Sequence, residues 1–113
     1  LAEYKRAGLI HFTFEGKDLE LVFYQSVKSV ANPIYIDHYF LPFTDNTNGG
    51  NSYGGGRYID LIIEDKSTET RVNFNLAYNP YCAYNDKYSC PIVPSENYID
   101  VEINAGVKAP ADH

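Results

Sequence analysis

Apolar and polar residues alternate with a period of two along much of this 113-residue chain. Over residues 9–14, Ile10, Phe12 and Phe14 share one face while His11 and Thr13 share the other. After the turn EGKD the alternation resumes, with Leu19, Leu21 and Phe23 set against Glu20, Val22 and Tyr24. A period of two marks a half-buried strand, and two such runs around a Gly-containing turn predict a β-hairpin. Residues 1–8 read as a polar lead-in with at most one helical turn, and residues 25–34 as a loop with room for one helical turn. Residues 35–43 form an aromatic, strand-like run that Pro42 demotes to an edge or a strand end. Residues 57–64 predict a strand with Ile59, Leu61 and Ile63 inward, and residues 70–76 another through Val72, Phe74 and Leu76. Residues 98–105 alternate strictly, with Ile99, Val101, Ile103 and Ala105 against Asp100, Glu102 and Asn104. The pattern predicts an all-β, single-domain fold over residues 1–113. Its expected form is an antiparallel β-sandwich or small barrel of about six or more short strands.

Composition narrows the function classes. A net charge of −6, with nine Lys and Arg scattered along the chain, leaves no concentrated basic face for nucleic acid or an anionic membrane surface. No apolar run approaches the roughly 20 residues of a membrane-spanning helix. There is no methionine, so a processed or truncated chain lacking an N-terminal region is expected. No N-x-S/T sequon occurs. An absent N-terminus and a disulfide would together suit a bacterial cell-envelope location, periplasmic or secreted, with the cytoplasm as the alternative. The sequence does not specify an oligomeric state.

The longest departure from periodicity is residues 73–97, NFNLAYNPYCAYNDKYSCPIVPSEN. It holds both cysteines, four tyrosines, five asparagines and three prolines. An irregular stretch of this length inside a compact domain is usually functional or disordered, and its aromatics and paired cysteines argue against disorder.

The segments YGGGRYIDL (53–61), FNLAYNPYCAYN (74–85) and YSCPIVPSEN (88–97) resemble the bacterial family called domain of unknown function 1684. HFTFEGKDLELVFYQS and YFLPFTDNTNGG are similar to that family's first hairpin and to the stretch before its glycine loop. The likeness spans nearly the whole chain in order. It implies no activity, because the family has none established. Relatives often show DFNRAYNPPC where this chain has Asn73, Leu76 and Tyr81, so an acidic and a basic residue are replaced by neutral ones. They also show CPLPPPEN where this chain has Val93 and Ser95.

Candidate chemistry is sparse. The glycine loop TDNTNGGNSYGGG (44–56) has five glycines but lacks the GK[ST] ending of a phosphate loop, and a strand follows it. It reads as a connection whose glycines permit positive φ. Arg57, at its end, can clamp a carboxylate on a ligand or, as the favoured reading, on an internal partner such as Glu96. Cys82 and Cys90 have three readings. They form a disulfide closing a loop of about nine residues, they are inert buried thiols, or they belong to a redox or metal site. C-x7-C is not C-x-x-C, and a metal would need His11, His38 or His113 to converge from afar. No metal site or cofactor is therefore expected.

Tyr78, Tyr81, Tyr84 and Tyr88 with Asn79 and Asn85 can line a pocket for a polar ligand or cap the sheet as a satellite core. His38 and Asp37, adjacent in a strand, point to opposite faces, so no catalytic triad is legible. Two readings follow. One is a non-enzymatic small-ligand-binding or accessory module built on the glycine loop and the cysteine segment. The other is a hydrolytic or thiol-dependent enzyme using Cys82 or Cys90. If strands 57–64 and 70–76 pair as a hairpin, the two unusual segments meet at one end of the sheet. Arg57, Asn79, Tyr84, Asn85, Glu96 and Asn97 are then the groups expected to converge, as ligand contacts or as an internal network.

Overall fold

The structure, a computed structural model, describes residues 4–27, 38–63, 72–84, 90 and 92–108. Four strands form one antiparallel sheet in the order β1-β2-β3-β4: β1 (Tyr4–Phe14), β2 (Lys17–Ser26), β3 (His38–Phe43) and β4 (Arg57–Ile62). The all-β reading therefore holds. The described residues form this single sheet, and irregular segments rather than a second sheet cover its core face.

β1 and β2 are the predicted hairpin, with Phe14 opposite Lys17. Glu15 and Gly16 both have positive φ, 51° and 81°, as a tight two-residue hairpin turn requires. The hairpin is longer than expected. The polar lead-in from Tyr4 onward is strand, not a turn of helix, and a bulge between Arg6 and Gly8 takes up the register. Tyr4 accounts for the extension, since its ring lies 4.9 Å from that of Phe40 and draws the run onto the sheet.

β3 is an interior strand, although it carries Pro42. Its register with β4 is complete, whereas β2 and β3 pair only at Tyr24 and Phe40. Continuing that register would bring Val22 opposite Pro42, which has no N–H to give. The side chain of Asn97 fills the gap. Its Nδ2 donates to the carbonyls of Val22 (2.7 Å) and Pro42 (2.6 Å), and its Oδ1 accepts from Val22 N–H (2.9 Å). A side-chain amide thus stands in for the missing peptide group.

The segment expected to be a strand at 70–76 is not one where it is described. Val72 and Asn73 are irregular, and Phe74–Leu76 is a 3-10 turn. Asn73 accounts for this locally: its side chain accepts from Asn75 N–H, and its carbonyl from Leu76 N–H. Such local bonds compete with a ladder. Phe74 still packs inward, against Phe12 and Phe43, but Leu76 is exposed. Residues 64–71, which include the predicted turn, lie outside the described residues.

Over 98–105 the burial alternation is as expected, with Ile99, Val101 and Ile103 buried, yet the segment joins no ladder. Its backbone is satisfied by the loop beside it: Ile99 N–H bonds Thr44 O (2.9 Å), and Asn46 N–H bonds Val101 O (2.8 Å). The core lies between one face of the sheet and these irregular segments. It gathers Ile10, Leu21, Leu41, Phe43, Ile59 and Leu61 from the strands and Ala77, Ile99, Val101 and Ile103 from the cover.

Candidate functional site

The glycine loop is a folded structure held by its own polar side chains. Asp45, buried, accepts four hydrogen bonds. Thr47 N–H (3.1 Å) and Thr47 Oγ1 (2.6 Å) reach its Oδ1, while Arg57 Nη2 (3.0 Å) and Ile103 N–H (2.7 Å) reach its Oδ2. Thr47 Oγ1 also meets Ser52 Oγ at 2.8 Å. Asn48 Nδ2 donates to Ser52 Oγ (3.1 Å) and to Tyr53 O (2.6 Å). Gly56, at the loop's end, approaches the cysteine segment so closely that a Cβ there would lie 2.7 Å from Val93 Cγ2.

Arg57 opens β4 opposite Phe43, and its place on the inward face carries the guanidinium into the interior. Its side chain is 2% exposed, and its Cζ sits 5.0 Å from the centre of the Phe43 ring. Nη1 donates to Ala105 O (2.6 Å) and Val107 O (3.5 Å); Nη2 donates to Ile103 O (2.9 Å) and to Asp45. One planar fork thus collects the carbonyls of Ile103, Ala105 and Val107, with the chain turning at Gly106, whose φ is 81°. Burial lowers the pKa of Arg57, and the Asp45 carboxylate opposes that shift. The internal partner expected for Arg57 therefore exists, and it is Asp45 rather than Glu96. One guanidinium hydrogen remains: Nε is buried and has no partner.

A pocket of about 210 Å³ opens here, lined by Arg57, Thr47, Ser52, Asn51 and residues 103–108. It is larger than the ~150 Å³ cavity that holds benzene, and smaller than the ~300–1,000 Å³ clefts of drug-sized ligands. That space suits about one ring. Among the described residues no group of three or more His, Cys, Asp and Glu is arranged to hold a metal ion.

The sequence model of a family described as proteins of unknown function, DUF1684, matches residues 1–108. The chain belongs to that family. A solved structure with the same fold is the solution NMR structure of an uncharacterized protein from Haloarcula marismortui. It is 32% identical with a TM-score of 0.77, and the match covers 97% of this chain and 58% of that one. This DUF1684 chain thus spans little more than half the length of that protein. No curated protein matches it.

Within the DUF1684 fold the six residues expected to converge fall into separate places. Arg57 lines the pocket. Asn79, buried, donates through Nδ2 to Tyr84 Oη (3.1 Å) and to the carbonyl of Lys108 (3.1 Å), a pocket-lining residue. Its Oδ1 is buried without a partner. Asn79 and Tyr84 therefore buttress the pocket from behind residue 108. Glu96 lies elsewhere, accepting from Tyr24 Oη (2.7 Å) and pairing with Arg6 (3.1 Å). Asn97 is committed to the β2–β3 seam, and Asn85 lies outside the described residues.

Cys82 and Cys90 form a disulfide. The cysteine segment meets β4 through an antiparallel bridge, Tyr58 to Tyr78, and the glycine loop through Gly56 beside Val93 and Thr44 N–H on Asn97 O, rather than through the expected hairpin. His11 faces Glu20 on the exposed hairpin surface, away from the pocket lining. Asp45, Thr47, Ser52 and Lys108 escaped the sequence reading. The available signal was Asp45-x-Thr47, the two-residue spacing at which an aspartate side chain bonds the backbone ahead of it.

Proposed function

We propose that this DUF1684 domain is a non-enzymatic binding module whose small polar ligand enters the pocket between the glycine loop and residues 103–108. The observation that carries the reading is the open pocket itself, whose lining joins the buried polar residues Thr47, Ser52 and Arg57 to the exposed side chains of Asn51 and Asn104. A small number of polar groups around a concave space is the ordinary makeup of a small-molecule site. The Asn79–Tyr84 pair supports the wall from the cysteine segment. A thiol-dependent enzyme is the weaker reading, because the disulfide consumes both candidate nucleophiles.

A thermal-shift screen with small polar compounds tests the proposal, since a specific binder raises the unfolding midpoint by mass action. Binding should be lost in Asn104→Trp, which places a bulky side chain at an exposed position of the lining, while the unliganded midpoint stays put. Compounds that bind equally well to the Trp variant would show that the pocket is not the site.

A further inference from the structure

The glycine loop holds the chain's one Asn-Gly step, Asn48–Gly49. In such a step the backbone nitrogen of the glycine can attack the side-chain carbonyl carbon of the asparagine, because the glycine has no β-carbon to hinder the approach. A bond forms between Gly49 N and Asn48 Cγ, the Cγ–Nδ2 bond breaks, and ammonia leaves with the proton from Gly49. Water then opens the cyclic imide at either carbonyl. The product is aspartate or, with the main chain rerouted through the side-chain carbon, isoaspartate. Only water is consumed.

The folded loop opposes each part of this reaction. Gly49 N–H is engaged by Ser52 O at 3.0 Å, which keeps the nucleophile protonated. The Asn48 side chain is pinned at both ends. Its Oδ1 accepts from Asp45 N–H, and its Nδ2, the leaving group, donates to Ser52 Oγ (3.1 Å) and Tyr53 O (2.6 Å). These partners fix the orientation of the amide, since Asp45 N–H can only donate and Tyr53 O can only accept. Side chains give Gly49 no shield, because nothing lies within 4 Å of where its Cβ would stand. Protection therefore rests on these hydrogen bonds. At about fivefold each, the net worth of one hydrogen bond, they slow the reaction by about a hundredfold or more.

We infer that Asn48–Gly49 is a latent self-modification site, silent while the glycine loop is closed and converted irreversibly once it opens. The inference stands apart from ligand binding. The product cannot close the loop again. A carboxylate has no proton to give Tyr53 O, so two acceptors would face each other there. Isoaspartate also lengthens the main chain just before Gly49, whose N–H must meet Ser52 O. Thr47 and Ser52 line the pocket and are joined through this loop by Ser52 N–H on Thr47 O (3.1 Å), so conversion opens that wall.

The test incubates the intact domain, folded and unfolded in urea, side by side at mildly alkaline pH, which favours loss of the Gly49 proton. Peptide mass spectrometry follows conversion at Asn48. Conversion should be slower in the folded protein by about a hundredfold or more, and a difference below about tenfold would overturn the silencing. The aged, unfolded sample is then diluted from urea and followed by hydrogen exchange with mass spectrometry, which separates converted from unconverted peptides. Unconverted chains should regain protection at the Gly49 and Ser52 amides, and converted chains should not. Equal protection in the two would show that the product closes the loop after all, and the inference would fail.

Discussion

Replacing Asp45 by Asn tests the network that shapes the pocket with almost no change in volume. The carboxylate accepts from Arg57 and Ile103 through one oxygen and from Thr47, twice, through the other. An amide keeps one oxygen and turns the other into a donor. Whichever way it rotates, its NH2 group faces two existing donors, and the guanidinium loses its counter-charge at a site where both side chains are at most 2% exposed. Breaking one side of a buried ion pair costs about 3–5 kcal/mol, a large share of the roughly 5–15 kcal/mol that holds a domain folded. With a urea slope of about 2 kcal/mol/M, the unfolding midpoint should fall by roughly 2 M. Tyrosine fluorescence is the natural probe, because the chain has 11 tyrosines and no tryptophan. A loss below about 1 kcal/mol for the single variant would refute the account of Arg57 as a buried charge dependent on Asp45.

Three further outcomes are expected. Asn97→Ala should destabilise by about 3 kcal/mol in chemical denaturation, since it strands Val22 N–H, Val22 O and Pro42 O at once; a cost within 0.5 kcal/mol, typical of surface changes, would remove the amide from the seam. Thiol titration of the native protein should find no reactive cysteine. Reduction should then release two thiols and lower Tm by about 10 °C, corresponding to about 2.5 kcal/mol for this short loop. Burial first, and for Tyr24 its bond to Glu96, push the phenols of Tyr24 and Tyr58 up to about 12. The unfolded chain releases these protons near pH 10 while the folded chain holds them, so their contribution is intact below pH ~10 and is lost as pH rises toward ~12. Phenolate absorbance of the wild type and of Tyr24→Phe and Tyr58→Phe reads this directly, and ordinary titration near pH 10 would contradict it.

The first hairpin was legible because both signals it needs are local: alternation in each arm and a turn that tolerates positive φ at Glu15 and Gly16. For β3, Pro42 does stand at the strand's end, one residue before Phe43, but the strand is not an edge, for an equally physical reason. Pro42 excludes a central strand only if no other group supplies the missing donor, and the donor here lies 55 residues away in sequence, on Asn97. Residues 98–105 show the converse. Their apolar face was read correctly, but periodicity reports burial, not the identity of the hydrogen-bond partner, and that partner is largely the 44–46 loop and the Asp45 carboxylate. The pocket was half legible. Arg57 stood out as one of three arginines, and its partner was sought in the cysteine segment because the glycine loop was read as a plain connector. Asp45 belongs to that loop.

The amide of Asn97 in the β2–β3 seam also bears on the order in which the chain can assemble. A chain made from its N-terminus can close the β1–β2 hairpin early, and β3–β4 can pair once residue 62 is available. The seam between the two pairs cannot close at Val22 and Pro42 until a residue 75 positions beyond Val22 has been made and has docked. Completion of the sheet is therefore a late, long-range event whose rate is governed by loop-closure entropy rather than by local strand preference. A chain cut after residue 62 and before residue 97 would retain all four strands of the described sheet and still leave it open at Val22 and Pro42.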